Sequence, residues 1–166
     1  MKTLYLVRHA KSSWGDFTTP DFERPLNERG KKDAPEMAKR LLDKKISIDS
    51  FISSPAKRAK STCKAFCKVY GRDKAEINFI DALYHASVET FNTVAASIDD
   101  RYHSAAIFSH NPGITEFVNT LVIDVFIDNM PTCAVFAVQI NADSWKDFLS
   151  APKQFLFVDY PKLGSD

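Results

Sequence analysis

Two spacings of apolar residues alternate along this chain. In some segments apolar side chains run together or alternate over three to six positions, as in strands. In others they recur every three or four positions, as on one face of a helix. Residues 3–7, 51–53, 75–80, 105–109, 135–140 and 155–159 are the strand-like runs, rich in β-branched and aromatic residues. Between the first two, Asp33-Ala34-Pro35-Glu36 reads as a capping box opening a helix over 33–42, with Met37, Ala38, Leu41 and Leu42 inward. A second helix is expected to start at Ser54-Pro55, with serine as cap and proline in the first turn, and to end at Gly71. Ser87 caps a third, which buries Phe91, Val94, Ala95 and Ile98, and a fourth follows His110. Trp145 falls in a short turn or helix between the last two strands. Strands alternating with helices predict an α/β fold: a three-layer sandwich with a mostly parallel central sheet flanked by helices. No linker, repeat or low-complexity tract divides it, so residues 1–166 are read as a single domain.

Composition narrows the class. Apolar residues make up 45% and charged residues 26% of the 166, the balance of a folded globular chain. Lysine and arginine (22) nearly cancel aspartate and glutamate (21), leaving a formal charge of +1 and no global field for nucleic acid or an anionic membrane. Cys63, Cys67 and Cys133 have neither a zinc nor a redox spacing and are expected as free buried thiols. The first apolar run is broken by Arg8 before it could form a leader, and no span approaches the ~20 apolar residues of a membrane helix. The expectation is a cytoplasmic protein with no membrane and no nucleic-acid partner.

The chemistry gathers where strands end. The apolar run "TLYLV" stops at Arg8 and His9, the second strand leads to Arg58 in the first turn of its helix, and the fourth run, 105–109, stops at His110. In open parallel sheets ligands bind at the carboxyl ends of strands, so these groups converge on one pocket if the fold is right. Two guanidinium forks, two imidazoles and a helix N-terminus suit a tetrahedral phosphoryl group. A neutral imidazole nitrogen can attack phosphorus, and arginines beside His9 disfavour its protonated form. Arg8, Arg58 and His110 would then hold the equatorial oxygens in the transition state. Ser12, Arg24 and Asn111 lie near enough in sequence to extend a phosphate or substrate site. No metal and no other cofactor is expected, because two arginines oppose a cation and His9 and His110 lack further ligands at metal spacing.

These segments, "LVRHAKS", "RPLNERG", "ISSPAKRAKST" and "FSHNPGI", resemble the histidine phosphatase superfamily, also called phosphoglycerate mutase-like, and within it the small SixA-type phosphohistidine phosphatases. The resemblance runs in family order from residue 4 to about 114. It implies a phosphoglycerate mutase-like fold, His9 as the phosphorylated nucleophile, and Arg8, Arg58 and His110 as phosphate ligands. Two departures stand out: Ala10 replaces the commonest glycine of Arg-His-Gly, and Ala82 occupies the position aligned with the glutamate that many members use as leaving-group acid. Asp81 and His85 are the nearest possible general acids.

A weak acid site has a consequence for substrate. An alkoxide needs a proton to leave, whereas the imidazole of phosphohistidine departs with less help. The expected activity is therefore metal-independent phosphatase chemistry on phosphohistidine in proteins, with inorganic phosphate as product. A small-molecule phosphomonoesterase and a catalytically weak phosphate- or phosphoprotein-binding module are the alternatives. The basic run Lys57-Arg58-Lys60 is too short to argue for nucleic acid by itself.

Overall fold

Strand β1 (Lys2–Arg8) sits near the middle of a six-stranded sheet whose other members are β2 (Ser50–Ser53), β3 (Asn78–Phe79), β4 (Ser104–Ser109), β5 (Val135–Ile140) and β6 (Lys153–Asp159). The order is β3-β2-β4-β1-β5-β6. The pairs β3/β2, β2/β4 and β4/β1 are parallel, while β5 joins β1 and β6 joins β5 antiparallel. The computed structural model describes residues 1–163. Together with its helices the sheet forms the α/β sandwich that the alternating pattern predicts.

The period of two explains the layers. In β1, Leu4 and Leu6 enter one apolar core with Phe91, Ile107, Ile114, Phe117 and Trp145, while Tyr5 and Val7 enter the other with Met37, Leu41, Phe51, Phe66 and Phe108. Both faces are covered, so the central strands are continuous apolar runs. Helices α1 (Glu28–Asp43) and α2 (Lys57–Val69) supply one layer, and α3 (Val88–Ala96) and α4 (Gly113–Val118) supply the other. All three cysteines are free and buried. No helix among the described residues is long and apolar enough to cross a membrane.

Four local expectations shift. Helix α1 begins at Glu28, earlier than the Asp33 box, because Asn27 caps it by accepting the Gly30 N–H, leaving Pro35 inside the helix. The early start is fixed by close packing: a Cβ on Gly30 would lie 2.1 Å from the Lys11 carbonyl oxygen. Asp33 instead faces Arg29 at 3.3 Å. Helix α2 begins at Lys57 with Ala56 in the cap position, because the Ser54 hydroxyl is engaged with the Ala56 N–H and with His110. The third strand shrinks to two residues, since Asp73 caps a 3-10 turn over Lys74–Glu76. The last strand starts at Lys153, two residues before the aromatic run.

Candidate active site

Sheet register brings the strand exits to one level. Arg8 is paired with Ser109 across β1/β4, and Ser53 with Phe108 across β2/β4. The ladder then continues one step beyond the strands: the His9 N–H donates to Ser109 O and the Ser54 N–H to Phe108 O. His9, Ser54 and His110 are thus neighbouring residues on the carboxyl edge, and the His9 and His110 ring centroids are 5.2 Å apart. Both imidazoles and Arg58 are buried.

His9 has a defined tautomer. Its Nδ1 lies 2.7 Å from the Ala10 carbonyl oxygen, which can only accept, so Nδ1 carries the proton and Nε2 keeps its lone pair. Burial pushes the His9 pKa down to about 3; the Ala10 hydrogen bond opposes this, and the charges of Arg8, Arg58 and Arg24 reinforce it. His9 is a neutral base at physiological pH. The loop around it is fixed by the Ala10 N–H donating to Thr62 Oγ1, whose own hydroxyl donates to Arg58 O. Ala10 is fully buried and outside the positive-φ region, so its methyl brings no backbone strain.

In His110 the engaged nitrogen is the other one. Its Nε2 is 2.8 Å from Ser54 Oγ, and that oxygen already accepts the Ala56 N–H. The buried serine hydroxyl has no other acceptor among the described residues, so it donates to Nε2, which places the ring proton on Nδ1. Burial, then the neighbouring His9 and Arg58, push the His110 pKa down to about 2.

Among the described residues, four buried side-chain polar atoms lack a hydrogen-bond partner: Arg8 Nε, Arg58 Nε, His110 Nδ1 and Asp33 Oδ2. The last faces Arg29 in an ion pair. The other three are N–H donors of the residues gathered at the carboxyl edge. An unmade buried hydrogen bond costs about 1–3 kcal/mol, so a set of such donors marks a place for an acceptor. Tetrahedral oxyanions supply acceptors in that number.

The rest of each guanidinium is held by protein. Arg8 donates through one terminal nitrogen to Met130 O at 2.9 Å. Arg58 donates to Asp21 O at 2.7 Å and to Asp21 Oδ2 at 3.0 Å. Asp21 also accepts from the Tyr84 hydroxyl at 2.6 Å and from Arg24 Nε at 3.0 Å. Burial alone would raise the Asp21 carboxyl, but hydrogen bonds from Tyr84 and Arg58 and the Arg58 charge outweigh it and hold the group well below the usual carboxylate range.

Of the remaining residues expected at the site, Arg24 reaches it through Asp21 and stacks over Trp14, its guanidinium carbon 3.9 Å from the ring centroid. Ser12 is buried and bridges Leu26 through the backbone. Asn111 is taken up structurally: its amide donates to Asn129 and to Met130 O, and it accepts from Thr115. It thereby steadies the loop on which Arg8 rests. His85 is exposed and stacks on Tyr84 with ring centroids 3.9 Å apart, and Tyr84 in turn meets His110 edge-on at 5.5 Å. Asp81 is exposed at the start of a 3-10 turn and its carboxylate holds no hydrogen bond or ion pair with described residues. Asp21, Tyr84, Ser54 and Thr62 were not expected at the site. Asp21 alone had a signal, a carboxylate three residues before Arg24 in a loop already near the site.

The pattern over residues 4–105 matches the model of histidine phosphatase superfamily branch 1. The chain belongs to the histidine phosphatase superfamily, and it is a phosphatase of that family. A chloroplastic protein of Arabidopsis thaliana, itself uncharacterised, is 29% identical over 154 residues, covering 88% of this chain and 70% of that one. A structure from Agrobacterium tumefaciens assigned as the phosphohistidine phosphatase SixA shares 25% identity with a TM-score of 0.80, over 96% of this chain and 98% of that one. The protein histidine phosphatase SixA solved with tungstate superposes with a TM-score of 0.81 at 19% identity, over 96% and 97% of the two chains, which establishes a shared fold. The histidine phosphatase fold and the SixA-type resemblance stand together.

Proposed function

We propose that this phosphatase hydrolyses phosphohistidine on proteins, without a metal, through a phosphorylated His9. The observation that carries the reading is the set of three buried, unpartnered N–H groups of Arg8, Arg58 and His110 beside a neutral His9 with a free Nε2. His9 Nε2 attacks phosphorus as the bond to the leaving imidazole nitrogen breaks. The departing electron pair stays on that nitrogen, and the imidazole leaves neutral because the proton is already on its other ring nitrogen. Water then attacks the phosphorus of phospho-His9, the P–N bond breaks, its pair returns to Nε2, and inorganic phosphate leaves with the water oxygen. The three donors follow the charge as it spreads over the equatorial oxygens.

The leaving-group side favours an activated substrate. Asp21 is the carboxylate closest to the clamp in bonding terms, but it is held ionised and accepts three hydrogen bonds, so it has no proton to give. Asp81 and His85 are exposed side chains outside the buried clamp. A phosphoramidate needs a leaving-group acid least. We place the activity in the cytoplasm.

The test is phosphate release, with chelator present, from a phosphohistidine peptide and an alkyl phosphate at matched concentration. Wild type should cleave chiefly the peptide, and His9→Ala should lose at least about three orders of magnitude. Equal or faster cleavage of the alkyl ester would establish a small-molecule phosphomonoesterase. Phosphate binding without turnover of either would establish a binding module.

A further inference from the structure

Helix α2 is unusual for what it lacks. Its 13 residues carry Lys57, Arg58, Lys60, Lys64 and Lys68 and no acid. At 100° per residue the four lysines fall within a sector of about 80° on the outer face. None of the four pairs with a carboxylate among the described residues; Lys60 instead lies over the Phe79 ring, Nζ 5.5 Å from its centroid. Helix α1, packed on the same core, contrasts with it: Lys31, Lys39 and Arg40 all have acidic partners.

Folding does not favour this arrangement. Cations in the first turn oppose the helix dipole, and like charges three and four residues apart repel. Lys57 and Lys60 are first-turn residues with no acid in their own helix to offset them. The stripe is also attached to the clamp. Arg58 follows Lys57, and Phe22 and Glu23, next to Asp21, line with Lys57, Lys60 and Lys64 an open groove of about 310 Å³. On the other side of Lys57 a second groove is lined by Lys31 and Ser61.

We infer that the lysine face of α2 docks an acidic stretch of the phosphorylated protein substrate, beside the phosphorylated side chain; the substrate part of this rests on the function proposed above. Charge complementarity selects the occupant. From Lys57 to Lys68 the axis runs about 16 Å, the reach of about five extended residues, so a stretch with several carboxylates matches the row where a single small anion would meet only part of it. The chain as a whole carries a net charge of only +1, so this row of cations is a local feature.

The experiment is fluorescence anisotropy of an unphosphorylated Asp/Glu-rich peptide, its neutral Asn/Gln counterpart and a single-stranded RNA oligonucleotide, with wild type and Lys60→Gln/Lys64→Gln/Lys68→Gln. It is paired with turnover of phosphoramidate and of phosphohistidine peptides with acidic or neutral flanks. Wild type should prefer the acidic peptide, losing the preference as salt rises. The triple variant should bind it about tenfold more weakly and show a similar rise in KM for the acidic phosphopeptide, while phosphoramidate turnover is unchanged. Equal binding of acidic and neutral peptides, or tighter binding of the RNA, overturns the inference. Acidic-peptide preference without phosphohistidine hydrolysis keeps the docking surface and overturns the proposed substrate.

Discussion

The two arginines of the pocket are held in opposite ways. Arg8 leans on a neutral carbonyl, Met130 O, in a loop tied down by Asn111 and by the Cys133 N–H, which donates to both Arg8 O and His9 O. Arg58 is held by a carboxylate, Asp21, whose side chain is 47% exposed in a loop anchored to Arg24 and Tyr84. A carbonyl orients a guanidinium and leaves its charge for a ligand; a carboxylate orients it and neutralises part of that charge. One half of the clamp is therefore built into the sheet, and the other half is shared between a loop anion and whatever anion enters. The comparison can be broken at several points.

The largest effect belongs to the arginines. Arg8→Ala and Arg58→Ala should each lower kcat by about 10²–10³. They should differ in stability: Arg8→Ala removes one of the two donors to the Met130 carbonyl, which keeps Asn111, and costs about 0.5–1.5 kcal/mol, whereas Arg58→Ala frees a half-exposed Asp21 that keeps Arg24 and Tyr84. Thermal melts beside single-turnover rates separate them; equal destabilisation would show that the loop is as integral as the sheet.

The histidines give the next effect. Their folded pKa values, about 3 for His9 and about 2 for His110, lie below the ordinary 6.5. Below pH 6.5 the unfolded chain binds protons that the folded one refuses, so stability declines as pH falls from about 6.5 towards 3, by up to about 1.4 kcal/mol per pH unit for each histidine. Asp21 acts in the same sense at lower pH, since its depressed carboxyl contributes stability that is lost as pH falls below the unfolded value near 4. Urea titrations at pH 7 and pH 5.5 should show the fall, and His9→Gln should reduce its slope. Activity should persist to pH 5 and disappear only as His9 takes a proton nearer pH 3. A loss centred near 6.5 would mean that His9 is not desolvated.

A smaller effect tests the shared arginine directly. Asp21→Asn keeps an acceptor near Tyr84 but removes the charge, so inorganic phosphate should bind about three- to tenfold more tightly by calorimetry. Weaker binding would mean that Asp21 serves to aim Arg58 and does not compete for it. The smallest effect is at Ala10. Ala10→Gly should leave kcat within twofold and lower stability by about 0.5–1 kcal/mol through a freer unfolded chain, because the backbone there needs no positive φ.

Much of this molecule is legible in one dimension. The alternation of Leu4 and Leu6 with Tyr5 and Val7 already assigns two cores to one strand, and the step from an apolar run to Arg8-His9, Arg58 or His110 locates the strand exits. Helix starts are less legible. Asp33 and Ser54 are good caps by type, yet Gly30 packing on Lys11 and the Ser54–His110 bond move both helix boundaries, because contacts distant in sequence outweigh a local preference of about 1 kcal/mol.

Periodicity therefore determined the layers, side-chain chemistry marked the four residues whose roles are proposed, and the four motifs carried the resemblance to the family. They act through near neighbours and through groups that have few uses other than binding an anion. Only tertiary structure decided which nitrogen of each imidazole is free, that Asp21 sits on Arg58, that Asn111 braces a loop, and that the α2 lysines have no carboxylate partner among the described residues. Each of those depends on which atoms meet across the fold, and for Asp21 and Arg58 the meeting spans 37 residues that no local pattern connects.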